Sequence, residues 1–151
     1  MRVYRITKSE FVNDVSGTGA RLYGGRWNHK GTSLIYTSET RSLATVEYLV
    51  HVPFPIKPSG LSIVTLEIPD TISYSEISQS ELPDDWRNYP APLTLADIGT
   101  DWAMKNQYLL LRVPSAVIPY EFNYLINPLH PDMKHVLIFQ VDDYTFDNRL
   151  V

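Results

Sequence analysis

The sequence of 151 residues contains no cysteine, which excludes a disulfide framework, thiolate zinc sites and catalysis by a thiol. Long apolar runs are also missing, since the longest falls far short of the ~20 residues that a membrane-spanning helix needs. The segment from Met1 to Arg5 has no apolar stretch of the signal-peptide type. We therefore expect a cytoplasmic protein that does not associate with membranes.

An excess of basic charge is missing as well. Lys and Arg number 13 against 17 Asp and Glu, which gives a net charge of −4 and disfavours direct binding to nucleic acid through a broad basic surface. The hydrophobic content of 44% and the charged content of 20% are typical of a globular protein. Because the chain has about the usual length of one domain, we predict a single domain over residues 1–151.

Runs of β-forming residues predict the strands of the fold, and polar stretches predict its loops. The predicted strands cover residues 3–6, 33–37, 61–68, 108–113 and 135–141. A long loop is predicted over residues 13–31 and an irregular segment over residues 70–92.

Two helices are predicted between these strands. The first runs from Glu39 to about His51 with Ser38 as its N-cap. The second ends near Asn106 and begins at Thr94, where the segment from Thr94 to Asp97 resembles a capping box. Strands and helices in this mixed order favour an α+β (mixed α/β) fold around a strongly bent pair of sheets.

Most common functional motifs are absent from the sequence. Gly17-Thr18-Gly19 begins a dinucleotide fingerprint, but Leu22 follows and no strand leads into it. No P-loop, nucleophile elbow or His-Glu-x-x-His motif is present. The four histidines do not have the spacing of metal ligands on a helix, so we expect no metal site.

The segment Gly24-Gly25-Arg26-Trp27-Asn28 differs from the rest of the chain. Its glycines permit close approach of the backbone to a ligand, and Arg26 offers a planar donor group for phosphate or carboxylate. Trp27 supplies an aromatic face, and Asn28 supplies a donor and an acceptor. The alternative is a glycine turn with a surface arginine and a core tryptophan.

Glu47 lies at the margin of the apolar stripe of the first predicted helix, four residues after Leu43 and next to Val46. A carboxylate at this margin is costly unless it is paired. The residue is therefore either a salt-bridge partner of a neighbouring arginine or a functional carboxylate at the floor of a cleft.

Tyr36 and Ser115 have simpler explanations when they are considered alone. Tyr36 shares a strand face with Leu34, so packing accounts for it. Ser115 follows a strand, and the preceding Pro114 restricts the turn.

Taken together, these segments resemble the RES-domain family, whose members are the toxin halves of bacterial toxin–antitoxin pairs. The ordered series extends over most of the chain. It comprises Tyr4-Arg5, Gly24-Gly25-Arg26-Trp27-Asn28-x-x-Gly31, Tyr36, Ala44-x-x-Glu47, Gly99-x-x-Trp102, Val113-Pro114-Ser115-Ala116, Asn127-Pro128-x-His130-Pro131 and Phe146-Asp147-x-Arg149-Leu150.

The resemblance implies a fold similar to that of ADP-ribosyltransferase toxins, with NAD bound as substrate in a cleft between two small sheets and no prosthetic group. It implies attack on the bond between nicotinamide and ribose, with water, phosphate or a protein side chain as acceptor. The implied partner is an Xre-type helix-turn-helix antitoxin, and a homodimer within the toxin–antitoxin complex is left open.

The resemblance also assigns roles to individual residues. Glu47 would stabilise the oxocarbenium character that develops on the ribose, and Arg26 would hold the pyrophosphate. Tyr36 would contact the nicotinamide ribose, and Ser115 would orient Glu47 or bind the nicotinamide amide. Further contacts to NAD are expected from Arg5, Trp27 and Asn28.

Two other functions remain open at this point. The first is a mono-ADP-ribosyltransferase that modifies a specific protein. The second is a non-catalytic interaction domain in which Arg26 and Glu47 form only a structural ion pair.

Overall fold

The structure is a computed structural model that describes residues 1–53 and 55–151. This part of the chain forms seven strands and three α-helices. The strands are β1 (Arg2–Lys8), β2 (Ile35–Ser38), β3 (Leu61–Glu67), β4 (Tyr74–Glu76), β5 (Leu110–Pro114), β6 (Phe122–Ile126) and β7 (Leu137–Tyr144). The helices are α1 (Thr18–Tyr23), α2 (Arg41–Leu49) and α3 (Leu93–Lys105). Within the described residues, no helix is long and apolar enough to cross a membrane.

The seven strands form one sheet in the order β4-β5-β6-β2-β1-β3-β7. Strands β1 and β3 pair over their whole length, whereas β1 and β2 share a single pair, Tyr4 with Ser38. The sheet therefore consists of two halves, β4-β5-β6-β2 and β1-β3-β7, that separate beyond this pair. The predicted α+β fold is confirmed, and its two small sheets are continuous at one point.

A cleft opens where β1 and β2 diverge. Residues 5–7 line one wall and residues 34–36 line the other, while residues 17–20 border the cavity as well. The cavity has a volume of about 190 Å³. The cleft therefore lies between the two halves of the sheet.

Two hydrophobic cores lie on opposite faces of the sheet, because successive residues of a strand point to opposite sides. Leu110 and Ile126 belong to the first core, while Leu111 and Leu125 belong to the second. Helix α3 contributes Leu95, which is fully buried, to the second core. The central strands are thus fixed by burial on both faces, which positions the residues at their ends.

The starts of α2 and α3 differ from the predicted ones. The N-cap of α2 is Thr40, whose hydroxyl accepts a hydrogen bond from the amide of Leu43 at 3.0 Å, whereas Ser38 stays in β2. The N-cap of α3 is Pro92, and it makes no side-chain capping bond. The predicted N-cap at Ser38 and the predicted capping box at Thr94 are therefore wrong.

The structure also contains elements that the sequence pattern does not predict. Helix α1 lies within the predicted loop over residues 13–31, and β4 lies within the predicted irregular segment over residues 70–92. Strand β6 was not predicted either, although it lies between β5 and β2 in the sheet. Its position matters because β6 carries a side chain of the candidate site.

Candidate functional site

A tight turn presents Arg26 and Trp27. The amide of Gly25 donates to the carbonyl of Asn28 at 3.0 Å and closes the turn. A Cβ atom at Gly25 would lie 2.7 Å from the hydroxyl of Tyr36. Glycine is therefore required here, because any side chain would collide with the tyrosine that supports the turn.

Asn28 is 1% exposed and uses its side chain to hold this turn together. Its amide nitrogen donates to the carbonyls of Ala20, His29 and Thr32 at 2.9–3.1 Å. Its amide oxygen accepts from the hydroxyl of Tyr36 at 2.6 Å. These partners occupy the amide on both sides, so Asn28 supports the turn, and its contact with NAD stays a prediction.

Trp27 is 3% exposed and packs in the second hydrophobic core. Its carbonyl oxygen would lie only 1.8 Å from a Cβ atom at Gly99, so α3 packs directly against its backbone. A ring in this position has no free face for a ligand. Trp27 is therefore a core tryptophan, and its predicted contact with NAD stays a prediction.

Arg26 is half-buried and directs its guanidinium to two backbone carbonyls. Nη1 donates to the carbonyl of Trp86 at 2.7 Å, and both terminal nitrogens lie 3.2 Å from the carbonyl of Asn88. Burial lowers the pKa of Arg26, and the Glu47 carboxylate acts in the opposite direction. Because carbonyls do not neutralise a guanidinium, the site contains a positioned positive charge.

Arg26 and Glu47 do not form the structural ion pair that one alternative requires. Among the residues that the structure describes, the arginine forms no salt bridge with any carboxylate. Glu47 instead bonds to neutral side chains. The two charges thus lie in the same site but remain separate.

Glu47 lies on α2 and is half-buried. Its Oε1 accepts a hydrogen bond from Ser115 Oγ at 2.7 Å and a second one from Asn123 Nδ2 at 2.6 Å. Oε2 accepts none from the described residues. One oxygen is therefore anchored, and the other is available to a ligand.

Ser115 follows β5, and its hydroxyl is saturated with hydrogen bonds. The oxygen accepts from the amides of Val117 at 3.1 Å and Ile118 at 3.0 Å, while the proton is donated to Glu47. A serine hydroxyl has one proton to donate. Of the two predicted roles, this geometry favours the orientation of Glu47 over binding of the nicotinamide amide.

Asn123 on β6 is a site residue that the sequence reasoning missed. It reaches Glu47 across 76 residues of sequence. A strand prediction for residues 122–126 is the signal that would have placed Asn123 next to the predicted strand that precedes Ser115.

Tyr36 and Arg5 line the cleft between β1 and β2. Burial raises the pKa of Tyr36, so its hydroxyl keeps its proton and donates it to Asn28. Arg5 Nη2 donates to the carbonyls of Phe11 at 3.0 Å and Asp14 at 2.6 Å. Arg5 Nε is buried without a partner among the described residues. Burial also lowers the pKa of Arg5.

The site thus combines an anchored carboxylate and a guanidinium that has no counter-carboxylate among the described residues. Tyr36 lies close to this guanidinium and also lines the cleft between the two halves of the sheet. The profile of the RES domain matches residues 2–147. The chain belongs to the RES-domain toxin family. Its relatives include a toxin named Res from Yersinia enterocolitica, which is 39% identical over 152 residues and covers 99% of both chains.

A second relative supports the family, and a solved structure supports the fold. A protein from a Sphingobium species named Prs ADP-ribosylating toxin is 36% identical over 142 residues, which cover 93% of this chain and 88% of the relative. The fold is similar to a chain in the crystal structure of the M. tuberculosis MbcT–MbcA toxin–antitoxin complex, with a TM-score of 0.71. That match covers 95% of this chain and 84% of the other at 19% identity, so it supports the fold alone.

Proposed function

We propose that this RES-domain toxin cleaves the bond between nicotinamide and ribose in NAD and thereby depletes cellular NAD. The observation that carries the proposal is the hydrogen bonding of the Glu47 carboxylate. Ser115 and Asn123 hold its Oε1, and its Oε2 is left without a partner from the described residues. A carboxylate oriented in this way is the group that the reaction requires.

The chemistry of the bond explains why one carboxylate is sufficient. Departure of nicotinamide leaves oxocarbenium character on the ribose, and a preorganised negative charge stabilises that transition state. Nicotinamide leaves as a neutral molecule from a pyridinium, so no general acid has to protonate it. Water or phosphate then accepts the ADP-ribose.

Arg26 and Tyr36 are the proposed binding residues. A guanidinium without a counter-carboxylate suits the pyrophosphate, whose oxygens would contact its free edge. Tyr36 lines the cleft next to this arginine and is proposed to contact the nicotinamide ribose. Arg5 borders the same cleft from β1 and is the second-rank candidate.

A second candidate function is mono-ADP-ribosylation of a cellular protein. It is favoured by the 36% identity to the relative named Prs ADP-ribosylating toxin. The same Glu47 and Arg26 would serve, since only the acceptor of ADP-ribose differs between the two reactions.

The proposed partner is an Xre-type helix-turn-helix antitoxin. A toxin–antitoxin complex is the structure to which the fold is similar, which supports an antitoxin in general. The Xre type rests on the family resemblance. The antitoxin would supply the DNA contacts that a chain with a net charge of −4 lacks.

Proton NMR of NAD with the purified chain tests these functions, in the presence and absence of phosphate. Free nicotinamide with ADP-ribose or its phosphate ester would support NAD cleavage. Labelling of one protein in a lysate incubated with labelled NAD would instead favour the transferase. The absence of both products would favour the third function, a non-catalytic interaction domain.

A further inference from the structure

We propose that Asn123 is a positioning residue for the reaction and that Ser38 anchors its amide. The inference rests on the proposed function, because it assigns a role within the site of NAD cleavage. It adds Ser38 and Asn123, for which the family resemblance predicts no role, to the site of Glu47.

The side-chain amide of Asn123 donates one hydrogen bond and accepts another. Its Nδ2 donates to Glu47 Oε1 at 2.6 Å, while its Oδ1 accepts from Ser38 Oγ at 2.7 Å. The opposite orientation of the amide would bring Oδ1 against the carboxylate oxygen, where two acceptors repel each other. The carboxylate therefore selects the orientation, and the hydroxyl of the buried Ser38 anchors the other end of the amide by donating to Oδ1.

The position of these residues links them to the cleft. Ser38 is paired with Asn123 across β2 and β6 and with Tyr4 across β2 and β1. The Ser38–Asn123 link therefore lies at the point where the two halves of the sheet separate. Strand pairing fixes the backbones of both residues, so the amide reaches α2 from a rigid element.

The two donors on Glu47 act on the same oxygen from different elements. Ser115 approaches from the end of β5, and Asn123 approaches from the start of β6. Together they restrict the rotation of a long side chain and leave Oε2 without a partner among the described residues. A carboxylate held in one geometry supplies its electrostatic stabilisation without first being ordered in the transition state.

Two variants and one matched control test the inference. In Asn123→Asp, the side chain keeps its shape and its bond to Ser38, but a carboxylate oxygen replaces the donor and faces Glu47 Oε1. In Ser38→Ala, Oδ1 of the Asn123 amide loses the hydroxyl that donates a hydrogen bond to it. The control is Thr37→Val, because Thr37 is the neighbouring residue on β2, and among the described residues its hydroxyl bonds only to the carbonyl of Tyr124, at 2.7 Å.

We expect kcat for nicotinamide release to fall roughly 10- to 100-fold in Asn123→Asp and less in Ser38→Ala, with KM changed less than about twofold. Thr37→Val should retain kcat despite losing a buried hydroxyl. Wild-type kcat in Asn123→Asp, or an equal loss in Thr37→Val, would overturn the inference while leaving NAD cleavage intact.

A spectroscopic measurement separates this inference from the proposed function. The ¹³C resonance of the Glu47 carboxyl group, assigned by its loss in Glu47→Gln, should move in Asn123→Asp and Ser38→Ala but not in Thr37→Val. If the wild-type chain releases no nicotinamide, the proposed function fails and this resonance still decides the inference. An unmoved resonance in Asn123→Asp would contradict it.

Discussion

The hydrogen bonds of single side chains divide the candidate site into two kinds of residue. Asn28 and Ser115 spend their donors and acceptors on the protein itself, and Trp27 is packed in the core. Glu47 and Arg26 keep atoms available for a ligand, since Glu47 Oε2 has no hydrogen bond within the described part of the chain and Arg26 bonds to carbonyls. Loss of a residue of the first kind should therefore affect geometry, whereas loss of the second kind should affect chemistry or binding.

Arg26→Ala should mainly weaken substrate binding. Removal of a hydrogen-bonded charged group costs about 1.5–3 kcal/mol, so KM for NAD should rise roughly tenfold or more. Arg87→Ala is the matched control, because Arg87 is an exposed arginine between the two residues whose carbonyls Arg26 contacts, and its Nε bonds to the carbonyl of Ala116 at 3.1 Å. Steady-state kinetics decides, and an unchanged KM in Arg26→Ala would indicate a purely structural arginine.

Ser115→Ala distinguishes the two roles considered for this serine. If it orients Glu47, kcat should fall while KM changes little, since the substrate loses no contact. The variant also leaves the amides of Val117 and Ile118 without their acceptor, so its free energy of unfolding should fall by about 1–3 kcal/mol. Kinetics and urea unfolding measure the two effects, and a raised KM at constant kcat would return Ser115 to nicotinamide binding.

At the scale of elements, the close contact between α3 and the Arg26 turn connects packing to the site. Gly99 lies on α3 against the carbonyl of Trp27, and no larger residue fits without displacement of the helix or the turn. The motif Gly99-x-x-Trp102 thereby acquires a structural meaning. Trp102 donates from Nε1 to Ser75 on β4 at 2.8 Å and secures the same helix.

Gly99→Ala should destabilise the protein. Overpacking of a tight contact typically costs about 1–3 kcal/mol, and here the methyl group would meet backbone atoms that have little freedom to yield. Gly19→Ala is the matched control, because Gly19 is a helical glycine with open space around its Cβ position. Urea unfolding should show a loss for Gly99→Ala and no loss for Gly19→Ala, and equal stabilities would contradict the contact.

The elements also explain which parts of the site the sequence could predict. Helical spacing is a local property, so the position of Glu47 at the edge of a buried stripe follows from residues 43–47. The bond between Ser115 and Glu47 joins residues 68 apart, and no local pattern contains it. Asn123 was missed because Phe122-Asn123-Tyr124-Leu125-Ile126 lacks the clear alternation of a strand. The burial of Trp27 depends on α3, which lies far along the chain.

For the whole molecule, the sheet is the feature that connects fold and function. Its two halves meet at one residue pair, and the cleft between them is lined by residues of both β1 and β2. The net charge of −4 gives the surface little attraction for the phosphates of DNA. In the proposed division of roles, this chain binds the nucleotide and the antitoxin binds the operator.

Binding to DNA tests that division. In a gel-retardation assay, the purified chain alone should not retard a DNA duplex that carries the operator of the antitoxin. The complex of the chain with the antitoxin should retard it. Since phosphate contacts weaken with salt, retardation by the complex should also decrease as the salt concentration rises. Retardation by the isolated chain at physiological salt would contradict the assignment of DNA contacts to the partner.

The central claim is that the Glu47 carboxylate acts in cleavage of NAD. The most direct test is proton NMR of nicotinamide release from NAD by the wild-type chain and by Glu47→Gln, which keeps the shape of the side chain but removes its negative charge. We expect the wild-type chain to release free nicotinamide and Glu47→Gln to release none above the uncatalysed background. Both chains should unfold at the same temperature. Undiminished release of nicotinamide by a folded Glu47→Gln variant would contradict it.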